Sequence, residues 1–281
     1  MATILVTGYT GNVGSEVLRS LHDRSQEDQQ ILVAGHHHKP DDPHHRFLDF
    51  EDRSTFPAAV AGVDYLFLIR PPKLASVDDV FGPLLDAMVE AGVKGVVFLS
   101  VHGAESNPVL PHHKIERAIV ERELPHYFLR PTYFMQNLTT TLYEQVKTGK
   151  LELPAGKAPF NWIDVRDIGA AAAQLLLDFP DHPQDRLGIP LATYENLDFY
   201  RVAELSQGSA LAFDYRAVSL PRFFIDRLRA GDAASYAAAV AGIHFIQRLQ
   251  KPVMARTDWR KLIGRDPHTL SEFFAQQGAE K

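Results

Sequence analysis

The sequence contains no cysteine, and none of its apolar runs is long enough to cross a lipid bilayer. The absence of cysteine excludes disulfides, thiolate-bound metals and a cysteine nucleophile, and it is compatible with a reducing compartment. Residues Met1 to Thr3 lead directly into a strand pattern, without the basic segment or cleavage site of an export signal. We therefore expect a cytoplasmic protein with no membrane partner.

An excess of positive charge is also missing. The chain has 29 Lys and Arg residues against 35 Asp and Glu, which gives a formal net charge of −6, and the basic residues are scattered. Without a basic stripe to neutralise a phosphate backbone, nucleic acid is a poor partner, and a small-molecule substrate is the better expectation. Hydrophobic residues make up 45% of the 281 and charged residues 23%, as in an ordinary globular protein.

Short apolar strands alternate with helices over the first half of the chain. The pattern predicts strands at residues 3–7, 31–34, 47–48, 65–69, 95–99 and 126–130. It predicts helices at residues 12–24, 54–61, 77–91, 110–123 and 134–148. Strands separated by helices of this length form a parallel sheet covered on both faces, so the predicted fold is α/β with a doubly wound parallel sheet of the Rossmann type.

The alternation loosens after Gly149. Short β-like pieces at residues 151–153 and 162–165 are followed by predicted helices at residues 167–179, 197–206, 223–228 and 233–249. We therefore divide the chain into a Rossmann domain, residues 1–150, and a smaller mixed α+β C-terminal lobe, residues 151–281, which is interleaved with the first and closes the substrate crevice. The apolar helices of this lobe either close the pocket or face a second subunit, which leaves a homo-oligomer open.

Gly8, Gly11 and Gly14 form a GxxGxxG run between a predicted strand and a predicted helix. Gly8 allows a tight turn, Gly11 lets the backbone approach a pyrophosphate, and Gly14 lets the helix pack against the strand. The phosphates of a dinucleotide then lie at the helix N-terminus, where unpaired N–H groups and the helix dipole favour an anion. Three glycines can also merely shape a turn, but the strand before them and the helix after them favour a dinucleotide site.

The end of the second strand usually distinguishes NAD from NADP. An Asp or Glu there bonds the ribose 2′-hydroxyl of NAD, whereas a cationic side chain holds the 2′-phosphate of NADP. This chain instead has His36, His37, His38 and Lys39 directly after Gly35. Because these side chains include no carboxylate to repel a phosphate and all four can donate hydrogen bonds, we favour NADP and leave NAD open.

The same histidines, with His44 and His45, raise the question of a metal site. Histidine ligands of structural metals usually come in spaced pairs that secondary structure holds in place. This run lies in a polar loop that also contains Pro40 and Pro43. We therefore predict a solvated loop and no bound metal.

Several further segments complete a recognisable order of motifs. They are Arg70 to Pro72, His112 to Glu116, Leu129 to Asn137, Ile163 to Ile168 and the C-terminal stretch over residues 257–273. With the glycine run, these segments resemble the NmrA-like group of atypical short-chain dehydrogenases/reductases nearly from end to end. The resemblance implies NAD(P) as the cofactor and one of two functions: a reductase of quinones or small carbonyl compounds, or a regulator that binds the dinucleotide without turning it over.

The resemblance also implies site residues. Those expected to contact the dinucleotide are Gly8, Thr10, Gly11, Asn12, Val13, Gly14, His37, Phe50, Arg70, Pro71 and Ser100. His37 stands where relatives often have Arg, and Phe50 is expected near the adenine. Arg70 and Pro71 are expected near the nicotinamide half. The residues expected in the substrate pocket are Tyr133, Phe134 and Asn137, although Asn137 can equally bond nearby backbone carbonyls.

Standard short-chain dehydrogenases use a tyrosine to protonate the carbonyl oxygen and a lysine four residues later. This chain lacks both residues in the helix where they are expected. The sequence has no Tyr between Tyr65 and Tyr127, and the matching positions are His112 and Glu116, one helical turn apart. His112 can serve as the proton donor if Glu116 raises its pKa, or both can be ordinary residues at a helix start. A quinone accepts hydride while solvent supplies the proton, so a quinone reductase does not need the tyrosine.

These observations predict an oxidoreductase that transfers hydride from NAD(P)H to a quinone or a small carbonyl compound. The alternative is a non-catalytic, NAD(P)-binding redox sensor of the NmrA type. The aromatic residues Tyr133 and Phe134 favour the enzyme, and the lost tyrosine and lysine favour the sensor.

Overall fold

The computed structural model describes residues 2–24, 29–37, 39, 41–71, 77–254 and 256–278. The chain forms two compact units, each assembled from three segments. Unit 1 consists of Met1–Pro131, Val165–Leu191 and Thr257–Asp266. Unit 2 consists of Thr132–Asp164, Ala192–Arg256 and Pro267–Lys281.

The secondary structure elements are numbered in chain order. The strands are β1 Ala2–Thr7, β2 Gln29–Gly35, β3 His45–Phe47, β4 Tyr65–Ile69, β5 Gly95–Leu99, β6 His126–Pro131, β7 Tyr133–Phe134, β8 Lys150–Leu153, β9 Phe160–Ile163, β10 Arg186–Leu191, β11 Asn196–Leu197 and β12 Asp214–Ala217. The helices are α1 Asn12–Arg24, α2 Phe56–Val60, α3 Asp78–Glu90, α4 Pro111–Glu121, α5 Tyr143–Val146, α6 Val165–Asp178, α7 Phe199–Ser206, α8 Leu220–Arg229, α9 Ala234–Ile246, α10 Trp259–Ile263 and α11 Leu270–Gln277.

Unit 1 is built on a parallel sheet. Its strands among the described residues number seven and lie in the order β10, β6, β5, β4, β1, β2, β3. The chain runs outward from β1 to β3 on one side and then from β4 to β10 on the other, which puts the topological switch point between β1 and β4. The predicted α/β, doubly wound fold is confirmed.

Apolar residues at helical spacing bury one face of each helix that covers this sheet. In α1 the buried residues include Val13, Val17 and Leu21, as the sequence spacing predicts. Helices α1 and α6 pack closely, since a Cβ added at Gly169 would lie 2.6 Å from the backbone carbonyl carbon of Glu16. The small side chains of α6 therefore allow the two helix backbones to approach.

Unit 2 has a core of its own under two small sheets. One sheet has the order β11, β9, β7 and the other pairs β12 with β8. Its largest buried side chains include Phe160, Trp162, Phe199 and Phe213. This unit has the mixed α and β content that the sequence predicts for the C-terminal lobe.

The path of the chain differs from the predicted division at residue 150. Residues 132–164 already belong to unit 2, and residues 165–191 return to unit 1 to supply α6 and β10. Strand β10 is not predicted by the sequence pattern, because it is an edge strand that contains Gly188 and Pro190 and is mostly exposed.

The helix predicted over residues 134–148 is wrong. Strand β7, a 3₁₀ turn at Met135–Leu138 and the four-residue helix α5 take its place. The hydroxyls of Thr139 and Thr140 both donate to the carbonyl oxygen of Gln136, at 3.1 and 2.8 Å. These bonds compete for the carbonyl that a continuous helix needs.

No helix in the part of the chain that is described is long and apolar enough to cross a bilayer. Within those same residues, no group of three His, Asp or Glu side chains is arranged to hold a metal ion.

Candidate functional site

The glycine loop between β1 and α1 has the geometry of a tight, closed turn. Gly8 has a φ of +64°, in the left-handed region that favours glycine, and a Cβ added there would lie 2.4 Å from Cγ2 of Ile69. The N–H of Gly11 donates to the carbonyl oxygen of Gly8 at 2.9 Å. A Cβ added at Gly14 would lie 2.1 Å from that same oxygen. Only glycine at position 14 thus lets the first turn of α1 close on the loop.

The start of α1 presents a surface suited to an anion. Thr10, Gly11 and Asn12 are exposed, whereas Val13 and Gly14 are buried beneath them. The first N–H groups of an α-helix have no acceptor within the helix, and the first turn of α1 contains no acidic residue. Exposed amides beside a positive helix dipole fit the pyrophosphate of a dinucleotide.

The end of β2 lies beside this loop, because Thr7 at the end of β1 pairs with Ala34. The ring of Tyr9 crosses the strand end, where a Cβ added at Gly35 would lie 3.1 Å from Cε1 of Tyr9. The ammonium of Lys39 lies 5.4 Å from the centroid of the Tyr9 ring, and a hydrogen bond with Tyr9 raises the pKa of Lys39. Tyr9 is not among the site residues predicted from the sequence, although its place inside the glycine run was a signal.

The histidine run that follows β2 is partly described. His36 and His37 are exposed, and their rings are in tilted contact, with centroids 4.0 Å apart and 43° between their planes. His38, one of the four donors considered from the sequence, lies outside the described residues. Phe50 follows β3 and is half-buried, with its ring centroid 5.9 Å from that of Phe81.

Arg70 and Pro71 follow β4, and His112 lies in the first turn of α4. Burial lowers the pKa of Arg70. Burial and the nearby charge of Arg70 lower the pKa of His112 to about 4, and the opposing effect of Glu116 is smaller. Glu116 raises the pKa of His112, as the sequence predicts, but burial and Arg70 outweigh this effect and leave His112 uncharged at pH 7. Among the described residues, its Nδ1 has no hydrogen-bond partner.

Glu116 is bonded elsewhere. Its Oε1 accepts a hydrogen bond from Nε of Arg130 at 2.9 Å, and its Oε2 accepts one from Nη2 at 2.6 Å. The hydroxyl of Ser100 donates to Oε1 of Glu116 at 2.5 Å. Ser100 and Glu116 are 1% and 5% exposed, so this cluster is an internal clamp that ties α4 to β5 and β6. Arg130 was missed as a site residue because nothing local in the sequence pairs it with Glu116.

The three predicted substrate-pocket residues, Tyr133, Phe134 and Asn137, all belong to unit 2. The ring of Tyr133 packs edge-on against those of Phe160 and Trp162. Its hydroxyl is 2.8 Å from Nε2 of His244, and the side chain of Asn137 also hydrogen-bonds with it. Asn137 is thus hydrogen-bonded to the Tyr133 side chain within unit 2.

His244 is a buried residue that the sequence analysis did not single out. It is 2% exposed, and its Nδ1 lies 2.7 Å from the carbonyl oxygen of Val240. Nδ1 must donate to that carbonyl, which leaves Nε2 to accept the proton of the Tyr133 hydroxyl. Burial lowers the pKa of His244 to about 4. The pair is therefore neutral and forms part of the core of unit 2.

Comparisons with known proteins agree with this architecture. The chain is 28% identical to Prestalk A differentiation protein A from Dictyostelium discoideum, over 96% of this chain and 91% of that protein. It is also 28% identical to an NAD(P)H azoreductase from Xenophilus azovorans, over 96% of each chain. An NADPH-dependent quinone oxidoreductase from Escherichia coli, solved with NADPH, has the same fold, with a TM-score of 0.80 and 21% identity over 97% of this chain and 99% of that one.

The NmrA-like family itself matches residues 47–223, which is more than half of the chain. That match extends from the end of β3 into α8 and includes Phe50, Arg70, Ser100, His112 and Tyr133, while the glycine loop and His244 lie outside it. This protein belongs to the NmrA-like family.

Proposed function

We propose that this protein is an oxidoreductase that binds NADPH in preference to NADH and transfers hydride to a quinone or a comparable small carbonyl compound. The observation that carries the proposal is the closed glycine loop, in which Gly14 meets the Gly8 carbonyl while Thr10, Gly11 and Asn12 remain exposed. The names of two relatives, an NAD(P)H azoreductase and an NADPH-dependent quinone oxidoreductase, support the same cofactor chemistry.

The residues present fit a dinucleotide. Thr10 to Gly14 would hold the pyrophosphate at the start of α1, and His37 would face the adenosine 2′-phosphate. Phe50 would lie near the adenine, and Arg70, Pro71 and Ser100 would lie on the nicotinamide side. The bound cofactor supplies hydride from C4 of its nicotinamide ring.

The lack of a proton donor at pH 7 favours a quinone over an aldehyde as the hydride acceptor. With a pKa of about 4, His112 lacks at pH 7 the imidazolium proton that a general acid would give, and the hydroxyl of Ser100 already donates to Glu116. Arg70 carries positive charge next to His112, where it can stabilise negative charge that develops on an acceptor oxygen. A quinone that receives hydride under this stabilisation takes its proton from solvent. Glu116 is then a positioning residue, while Phe134 and Asn137 remain proposed pocket residues.

A regulator that binds NAD(P) without turnover is the second candidate. The specific observation in its favour is the same lack of a poised acid: His112 is neutral and the tyrosine of standard enzymes is missing. A sensor needs the glycine loop but no proton donor.

One experiment separates these functions. Oxidation of NADPH and NADH is followed by nicotinamide absorbance with a panel of quinones and aldehydes, and calorimetry on the same sample measures cofactor binding. We expect turnover with quinones and much slower turnover with aldehydes. Tight binding without turnover across the panel would favour the regulator. Binding of neither dinucleotide would contradict both functions, and Gly14→Val serves as a variant designed to lose binding.

A further inference from the structure

Helix α9 of unit 2 carries no charged side chain on its exposed face. Between Ala234 and Ile246 the sequence contains no Asp, Glu, Lys or Arg. A helix that is hydrophobic on all sides is normally buried on all sides. Tyr236, Ile243 and Ile246 are nevertheless 43%, 57% and 51% exposed. Apolar surface that faces water in this way is typical of a protein–protein contact.

Contacts on the opposite face fix the rotation of α9 about its axis. The Tyr133 hydroxyl donates to Nε2 of His244 at 2.8 Å, within the core of unit 2. Directly after the helix, the side-chain amide of Gln247 donates to the carbonyl oxygen of Pro159 at 2.9 Å. Because these bonds hold one face of α9 against unit 2, the exposed apolar residues cannot turn inward.

The exposed residues form a stripe with a symmetric spacing. We call Tyr236, Ala239, Ile243 and Ile246 the α9 stripe, since all four are exposed and lie three, four and three residues apart. Alternating steps of three and four residues are the spacing at which two helices pack side by side. The steps are the same from either end of the stripe. In an antiparallel pair, Tyr236 therefore faces the second copy's Ile246, and the small Ala239 faces the larger Ile243.

The charges that flank α9 also suit an antiparallel pair. The nearest charged residue before the helix is Asp232, which forms an ion pair with Arg227 of α8. The nearest one after the helix is Arg248, which is exposed. Antiparallel packing brings ends of opposite charge together and opposes the two helix dipoles, whereas parallel packing brings like charges together.

Exposed large apolar side chains are concentrated around α9. Of the fifteen found among the described residues, seven lie between residues 225 and 254. Besides the stripe they include Ile225 and Leu228 on α8, and Leu249 and Met254 after α9. A stable dimer buries about 800 Å² on each partner, which exceeds what one face of a helix about 20 Å long provides. These neighbouring side chains supply apolar area beyond the stripe.

We propose that this protein forms a symmetric homodimer in which the α9 stripe packs antiparallel against the α9 stripe of a second copy. Each chain contributes the same surface, so the assembly closes at two copies. The uncharged stripe meets its own counterpart without burying a charge, and burial of Ile243 and Ile246 supplies the apolar driving force. The contact lies on unit 2 and requires no bound dinucleotide.

Sedimentation velocity over a range of protein concentrations tests the dimer. We expect wild type to sediment as two chains of 31.4 kDa. Ile243→Asp should raise the dissociation constant of the dimer by about 30-fold or more, as loss of an interface hot spot does. Val89→Asp on α3 is the matched control, since Val89 is 47% exposed and lies in unit 1. Circular dichroism verifies that both variants are folded. A wild type that sediments as one chain at every concentration, or a dimer that Ile243→Asp leaves unchanged, would overturn the proposal.

Disulfide crosslinking tests the antiparallel arrangement, because the chain contains no cysteine of its own. A mixture of the Tyr236→Cys and Ile246→Cys variants should form a disulfide-linked dimer that contains one chain of each. Ile246→Cys alone should form none, since its two copies lie about 15 Å apart along an antiparallel pair and a disulfide spans about 6 Å between Cα atoms. Crosslinking of Ile246→Cys to itself but not to Tyr236→Cys would overturn this arrangement.

A membrane surface is the other occupant that the test distinguishes. Wild type is sedimented with vesicles of phosphatidylserine and phosphatidylcholine, and we expect it to stay in solution as a dimer. A monomeric wild type that binds these vesicles, and loses the binding in Ile243→Asp, would overturn the homodimer in favour of a lipid contact.

Discussion

Glu116 accepts two hydrogen bonds from the guanidinium of Arg130, at 2.9 and 2.6 Å. The carboxylate comes from α4 and the cation from the end of β6. Glu116 is buried, the side chain of Arg130 is 17% exposed, and the Ser100 hydroxyl donates to the same carboxylate. These bonds join α4, which carries His112 in its first turn, to the ends of β5 and β6.

Glu116→Gln should destabilise the protein strongly. The change leaves the Arg130 charge mostly buried without a counter-charge, which costs about 3 kcal/mol of unfolding free energy. Urea denaturation at pH 7 measures it. Glu105→Gln is the matched control. The Glu105 carboxylate lies 3.5 Å from Nε of Arg130, but its side chain is 46% exposed, so this ion pair contributes about 0.5 kcal/mol to stability. Equal losses in the two variants would contradict the assignment of Glu116 as the structural partner.

Gly14→Ala should impair both folding and dinucleotide binding. The added Cβ would lie 2.1 Å from the Gly8 carbonyl oxygen, so the loop must shift, at a cost of about 1–3 kcal/mol of stability. Gly242→Ala in α9 provides the control, because its added Cβ meets nothing within 4 Å and alanine favours a helix by up to about 1 kcal/mol. Denaturation and calorimetry on both variants check this. Normal dinucleotide affinity in Gly14→Ala would show that the close approach is not needed.

His112→Gln should change turnover only slightly. An imidazole whose pKa is about 4 is neutral above pH 6, so it neither donates a proton nor titrates in the working range. We expect kcat within about 3-fold of wild type, against the loss of 100-fold or more that removal of a general acid produces. The pH profile of kcat between pH 6 and 8 should run parallel in the two proteins. If kcat of the wild type depends on pH near neutrality and kcat of the variant does not, His112 is the proton donor after all.

His244→Gln should remove part of the acid sensitivity of the fold. The pKa of His244 is about 4 in the folded state and about 6.5 in the unfolded state. Below pH 6.5 the imidazole is therefore protonated in the unfolded chain while it stays neutral in the folded one. Unfolding free energy therefore falls as pH falls from 6.5 towards 4. Between pH 7 and 5 this residue accounts for a loss of about 2 kcal/mol, which the variant should not show.

The comparison uses the change in stability between the two pH values, because the variant also loses the bond to Val240 and starts from a lower stability. His182→Gln, an exposed position, should show the wild-type change. If His244→Gln also loses the full amount, the acid sensitivity lies elsewhere.

Most of the sheet of unit 1 was predictable from the sequence. The strands at residues 65–69 and 95–99 and the helix at residues 12–24 have the bounds that the hydrophobic pattern predicts. Strand β10 and the break-up of the helix over residues 134–148 were not predictable by pattern. An exposed edge strand has no apolar run, and the threonine hydroxyls that end the helix act only once the chain has turned at Gln136.

The shape of the glycine loop was predictable in the same way, since it depends on its own backbone and on the neighbouring strand. The charge state of His112 was not. The neutral state of His112 results from burial and from Arg70, which is 42 residues away in the sequence, and the effect of Glu116 at helical spacing is smaller.

By itself the sequence determined the alternation of strands and helices, the closed glycine loop and the absence of a standard catalytic tyrosine, because each depends on residues within a few positions of one another. The tertiary structure alone decided that Glu116 binds Arg130 and that Tyr133 donates to His244, 111 residues away. It also decided that the chain leaves unit 1 at Pro131 and returns at Val165. These pairings and this chain path depend on burial and charge that arise only when distant segments pack together. No local sequence pattern therefore predicts them.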